Sequence, residues 1–188
     1  EQTAHQVAVF DADGIRTERL VVIDGDRISV EEPDEGQPAV GQIIAADGHT
    51  LLPGLVDMHI HIEGSASGAP VGYPERALQA LLENGVTTAF DLGSRMNMIS
   101  ALKARLQNGT ILGPKLLTVG PLISAPGGHP CIDFYSSDFC LLVESAQAAR
   151  EAVDRIAERN PDFIKLVLEG GSAERGALPR LSESSARA

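Results

Sequence analysis

The chain has 188 residues, 43% hydrophobic and 22% charged, the composition of an ordinary globular protein with ample apolar material for a core. Its formal net charge is −11, and its 15 Lys and Arg are scattered singly, so a nucleic-acid backbone or an anionic membrane surface would be repelled. No apolar run approaches the ~20 residues that a membrane helix needs. Neither nucleic acid nor a membrane is expected as a partner.

Residues 1 to about 52 read as short strands joined by turn chemistry. Gln6 to Phe10 is a first strand and Asp13-Gly14 a turn. Leu20 to Ile23 and Arg27 to Val30 make a hairpin around Asp24-Gly25-Asp26, and the strand Gln42 to Ala45 is followed by Asp47-Gly48. Glu31 to Gly41, with two prolines, two glycines and four acidic residues, reads as a solvated loop. His5 and His49 read as structural or exposed.

From Pro53 the rhythm becomes strand, helix, strand, helix, which implies an α/β fold with a parallel sheet and helical crossovers. Strand one is Gly54 to His61, followed by a Gly/Ser/Pro-rich loop to Gly72. A helix from about Pro74 to Asn84 has proline suited to its first turn and Gly85 suited to its cap. Strand two is Val86 to Asp91, a helix runs from about Met96 to Asn108, and strand three is Leu116 to Gly120 or slightly beyond. A Gly/Pro-rich loop spans Ser124 to Asp138. The helix Glu144 to Arg159 carries Ala146, Ala149, Val153, Ile156 and Ala157 on one stripe. Strand four is Phe163 to Leu168, and Leu181 to Ala188 reads as the start of a further helix.

The chemistry concentrates in strand one. If it is extended, Asp57, His59 and His61 share one face, while Val56, Met58, Ile60 and Ile62 share the other, expected to pack against helices. A carboxylate and two imidazoles packed together are costly unless their desolvation is compensated, and a divalent cation compensates it. Lys165 sits within Phe163-Ile164-Lys165-Leu166-Val167-Leu168, a strand expected to be buried on both faces. Burial favours a neutral, nucleophilic amine, which can capture carbon dioxide as a carbamate or form a Schiff base. His129, in Gly127-Gly128-His129 after strand three, offers a hydrogen-bond donor, with a flexible surface loop as the alternative. Asp91 is read either as hydrogen bonding behind the site or as the N-cap of the next turn. Cys131 and Cys140 could pair, but two free thiols are the expectation. They say little of compartment; the protein is read as cytoplasmic, with a removed signal peptide as the alternative.

Pro53, Gly54, Leu55, Val56, Asp57, His59 and His61 fill every position of the Pro-Gly-hydrophobic-hydrophobic-Asp-x-His-x-His run that opens the barrel of the amidohydrolase superfamily, and the chain resembles that family over essentially its whole length. The Gly-Gly-His after strand three is similar to that of its imidazolonepropionase-like and prolidase-like branch. The resemblance implies a (β/α)8 TIM-type barrel whose N-terminal half, strands one to four, is residues 53–188, with residues 1–52 as the N-terminal part of a flanking β-sandwich. It implies a metal-dependent amidohydrolase that cleaves a peptide or N-acyl amide C–N bond with a hydroxide activated by two divalent metal ions, zinc by default. His59, His61 and Lys165 would be metal ligands. Lys165, carboxylated, would bridge the pair as the catalytic lysine, and His129 would orient the substrate. One-metal, deaminase-like members usually lack a lysine here. The remaining ligands would lie on later strands.

A small-molecule amide or dipeptide-like substrate and a homo-oligomer are expected. The chain begins at Glu1 without an initiator Met, and a full barrel takes about 250 residues. The expectation is therefore the N-terminal part of a longer enzyme, inactive by itself. Alternatives are a cyclic-amide or deaminase-type hydrolase of the same superfamily, a metal-free barrel using Lys165 as a Schiff base, and a non-catalytic scaffold relative.

Overall fold

The computed structural model describes residues 2–33, 41–46, 48–63, 73–132, 138–174 and 176–188. It divides into two compact units, Glu1–Gly54 and Leu55–Ala188.

The first unit is one five-stranded sheet. Strand β1 (Gln2–Asp11) turns through Ala12-Asp13 into β2 (Gly14–Asp24), and the Asp13 N–H donates to Asp11 Oδ1 at 3.0 Å. A two-residue turn leads to β3 (Arg27–Glu31); its Gly25 adopts φ +59°, which favours glycine. β4 (Gln42–Ala45) and β5 (Thr50–Leu51) each pair in parallel with β1, and the main order is β3-β2-β1-β4. Val7, Val9 and Val21 form a small core packed by Ile23, Val30 and Ala46. The exposed His49 accepts from the Ala8 N–H through its carbonyl. Most of the expected solvated loop, residues 34–40, lies outside the described residues.

In the second unit β6 (Leu55–Ile60), β7 (Val86–Asp91) and β8 (Lys115–Thr118) form a parallel sheet in that order. The crossovers are α1 (Pro74–Glu83), with proline in its first turn, and α2 (Met96–Gln107). A third helix, α3 (Ala146–Ala157), starts where Ser145 accepts the Ala148 N–H on its hydroxyl at 3.2 Å. Leu78 of α1, Ile99 and Leu102 of α2 and Ala149, Ala152 and Ile156 of α3 bury their apolar stripes in one core with Ala89 and Leu116 of the sheet. A short hairpin of β11 (Gly171–Ser172) and β12 (Gly176–Ala177) precedes α4 (Glu183–Ala186), which is shorter than the helix expected there. Among the described residues no barrel closes and no helix is long and apolar enough to cross a membrane.

Four expectations are corrected. Strand three continues past a break as β9 (Leu122–Ser124), which pairs in parallel with β10 (Cys140–Leu142), a strand just beyond the expected loop. Strand four is reduced to a single bridge between Ile123 and Leu166, because its backbone contacts are few and separated: Phe163 N–H donates to Thr118 O at 3.4 Å, then Ile123 N–H donates to Lys165 O at 3.0 Å and Val167 N–H to Ile123 O at 2.9 Å. Its flanks are open, with Phe163 49% and Leu168 55% exposed, so Lys165 is not in a strand buried on both faces. On the face expected to pack against helices, Ile60 and Ile62 join the helix-covered core, but Val56 and Met58 on β6 are 52% and 60% exposed, so only the end of that face is covered.

The fourth correction concerns the cysteines. Cys131 and Cys140 form a disulfide, their Cα atoms 5.9 Å apart, because the loop leaving β9 folds back onto the start of β10. Non-reducing peptide mapping is expected to recover Cys131 and Cys140 as one cross-linked pair that separates on reduction; recovery of two separate thiol peptides would contradict the pairing.

Candidate metal centre

Alternation along β6 and the residue after it puts His59 and His61 on one face, and their Nε2 atoms approach to 3.3 Å. Asp57, on the same strand, turns its carboxylate onto the backbone and accepts the His59 N–H at 3.1 Å. His61 is half-buried, and its Nδ1 faces the Gly93 carbonyl at 3.4 Å. A proton held on Nδ1 by that carbonyl leaves the Nε2 lone pair free, the tautomer that a metal-ligating imidazole uses.

The neighbouring peptide unit holds Lys165, whose Nζ donates to the Leu92 carbonyl at 3.0 Å. The turn after β7 therefore gathers, on two consecutive carbonyls, a side chain from the first strand and one from the Leu166 bridge segment. Burial pushes the His61 imidazole below its usual range; the Gly93 carbonyl opposes this and the Lys165 charge adds to it. Burial likewise pushes the Lys165 amine below the usual lysine range, against the attraction of Asp91. Gly93 has φ +150°, and a Cβ there would lie 2.9 Å from Leu122 Cδ2 and 3.4 Å from His61 Cε1, so glycine is what lets the turn pass this close.

Behind the turn, Asp91 is fully buried and accepts three hydrogen bonds. The Ile62 N–H donates to Oδ1 at 3.0 Å, Ser94 Oγ to Oδ1 at 2.8 Å and Thr118 Oγ1 to Oδ2 at 3.1 Å. Burial pushes the Asp91 carboxyl up, against these hydrogen bonds and the His61 charge. Asp91 thereby ties the residue after His61 to β7 and β8. It does not cap α2, whose N-cap is Arg95 without a side-chain cap.

His129 lies on the loop between β9 and β10. Its carbonyl accepts from Ser124 Oγ at 2.9 Å, and its Nε2 faces Glu169 Oε2 at 3.4 Å, four residues beyond Lys165. Gly128 is tightly enclosed, since a Cβ there would lie 2.7 Å from Pro179 O. Ser94, Thr118 and Glu169 were not singled out by the sequence; as polar residues near strand ends they carry no signal until pairing aligns those ends.

Among the described residues no group of three His, Cys, Asp or Glu side chains is placed to hold a metal ion. The set that converges is two imidazoles with an amine hung beside them. Its chemistry fits a divalent cation: two nitrogen lone pairs within reach of one point, one of them on a ring oriented by a carbonyl.

The parallel strand-helix sheet thus carries its paired histidines at and just past the end of its first strand. The chain belongs to the amidohydrolase family, whose model matches residues 50–178. Over 74 residues, 38% of this chain and 11% of the relative, it is 40% identical to an adenine deaminase of Paracoccus denitrificans (strain Pd 1222). A prolidase solved in complex with N-methylphosphonate-L-proline matches 99% of this chain and 52% of its own with a TM-score of 0.78 at 24% identity. A Xaa-Pro dipeptidase solved with bound methionine in the active site matches 98% of this chain and 52% of its own with a TM-score of 0.81 at 22% identity. At these identities the structural likeness is one of fold. The chain spans about half the length of the two structures and the matched stretch a much smaller part of the deaminase.

Asp91→Ala would leave the Ile62 N–H and the Ser94 and Thr118 hydroxyls without their acceptor, and each stranded group costs about 1–3 kcal/mol. Denaturant unfolding is expected to show a loss of about 3–5 kcal/mol, and a smaller loss for Asp91→Asn, which keeps one acceptor oxygen. Equal stability of Asp91→Ala and the parent would show that the network carries no load.

Proposed function

We propose that residues 53–188 supply strands one to four of a (β/α)8 barrel and residues 1–52 part of a flanking β-sandwich, in a hydrolase that cleaves a peptide or N-acyl amide C–N bond. His59 and His61 would hold one metal, and a carboxylated Lys165 would bridge it to a second, with zinc favoured by the imidazole donors. The observation that carries this is the 3.3 Å approach of the two Nε2 atoms, with Lys165 held on the peptide unit next to the one that orients His61. Bound metals would supply water activation and carbonyl polarisation.

The chain's own residues have defined parts. Gly93 O holds the His61 ring. Desolvation keeps the Lys165 amine neutral more readily, so its nitrogen can bond to carbon dioxide with loss of a proton, turning a cation into an anionic ligand. His129, held by Glu169, stands on the loop proposed to orient a small amide or dipeptide-like substrate. The Cys131–Cys140 disulfide favours an oxidising compartment over the cytoplasm.

A second reading, a deaminase-type hydrolase, is favoured by the 40% identity to an adenine deaminase over 74 residues. Lys165 speaks for the two-metal amide hydrolase. Products separate them: amino-acid release from Xaa-Pro dipeptides or N-acyl amino acids supports the first, and ammonia release from adenine the second.

In the full-length protein Lys165→Ala is expected to lower bound metal from about two per chain and to reduce kcat/KM by more than about 100-fold, beyond the 10–100-fold typical of groups that only support ligands. Short carboxylic acids in excess are expected to restore part of the activity. Unchanged metal content and rate, by plasma emission analysis and steady-state assay, would remove Lys165 from the site.

A further inference from the structure

In sequence the basic residues are scattered, but the fold gathers three of them. Arg95, Arg155 and Arg159 line one cleft of about 280 Å3 between the start of α2 and the C-terminal half of α3. Its floor is apolar and buried, made by Met96, Leu141 and Ile156. Among the described residues Asp138 is the one acid on the lining and Glu63 pairs with Arg95 from beside it, so three guanidinium charges meet two carboxylates in a chain whose formal net charge is −11. Like charges brought together in this way repel, and an anion between them removes the repulsion.

Two of the arginines are fixed by neighbours that leave donors free. The Arg95 Nε is paired with Glu63, whose other oxygen accepts the Arg95 N–H at 2.6 Å, and the terminal Nη groups of Arg95 are not used in this pair. Arg159 gives Nη1 to Asn97 Oδ1 at 2.7 Å and keeps its remaining N–H groups. The Arg155 guanidinium makes no hydrogen bond or ion pair among the described residues. A guanidinium presents planar paired donors that match the two oxygens of a carboxylate or phosphate, and donors already oriented lose less freedom on binding.

We propose that this cleft binds a small organic oxyanion: a carboxylate or phosphate group held by Arg95, Arg155 and Arg159, joined to a compact apolar body resting on Met96, Leu141 and Ile156. The site uses none of the candidate metal ligands.

The test is calorimetric titration of the full-length protein with inorganic phosphate and, separately, with isovalerate, each at fixed ionic strength against chloride. Saturable binding of at least one probe is expected, weakened about tenfold or more in both Arg155→Gln and Arg159→Gln. Both positions are exposed on or just beyond α3, and unchanged melting temperatures would show that the variants fold. Phosphate binding alone points to a phosphorylated ligand and isovalerate binding alone to a carboxylic acid; either supports the site. Lys165→Ala is expected to retain the binding, so failure of the metal-centre reading would leave this one standing. Absence of saturable binding by both probes, or binding that survives both arginine variants, as it would at a metal centre, overturns the proposal.

Discussion

Two consecutive carbonyls, Leu92 O and Gly93 O, hold the candidate centre together. One accepts from Lys165 and the other faces His61, so residues 104 positions apart in the chain meet because both bind one turn. The turn can do this because Gly93 takes a backbone conformation and an approach to Leu122 that a side chain would obstruct. It is anchored from behind by Asp91, whose buried carboxylate ties the segment after β6 to β7 and β8. A buried carboxylate with three donors is stable only while the strand ends stay in register, so the network that fixes the sheet also fixes the histidines.

Much of this was legible in the sequence where a local pattern determines geometry. β7 has the bounds expected for strand two, and α1 and α2 stop one residue short of the expected ends, because proline, glycine and helical periodicity are local signals. The convergence of His59 and His61 follows from strand alternation alone. The expectations that failed depend on partners distant in sequence. A run such as Phe163-Ile164-Lys165-Leu166-Val167-Leu168 reads as a buried strand, yet its pairing comes down to one bridge at Ile123 and leaves the Phe163 and Leu168 side chains open. The disulfide was hidden for the same reason: nine residues of separation do not reveal that the loop folds back until β9 and β10 are seen to pair. The arginine cleft has no sequence signature, since Arg95 and Arg155 meet only through the packing of α2 and α3.

The likenesses in sequence and in fold differ in extent. Identity to an adenine deaminase covers 38% of the chain, while the fold likeness to a prolidase and a Xaa-Pro dipeptidase covers nearly all of it. One family fold can carry different chemistries, because loops and site residues, more than the sheet, decide which bond is attacked. In the proposed reading the residues that bear on the choice are Lys165 and the His129 loop, one tuned by desolvation and the other braced by Ser124 and Glu169.

The central claim, that His59 and His61 share a metal, is tested most directly by anomalous diffraction at the zinc edge from crystals of the full-length protein loaded with zinc. The account predicts an anomalous peak about 2.0–2.1 Å from both Nε2 atoms, with a second peak adjoining Lys165. A fully loaded protein whose zinc lies away from both imidazoles would contradict it.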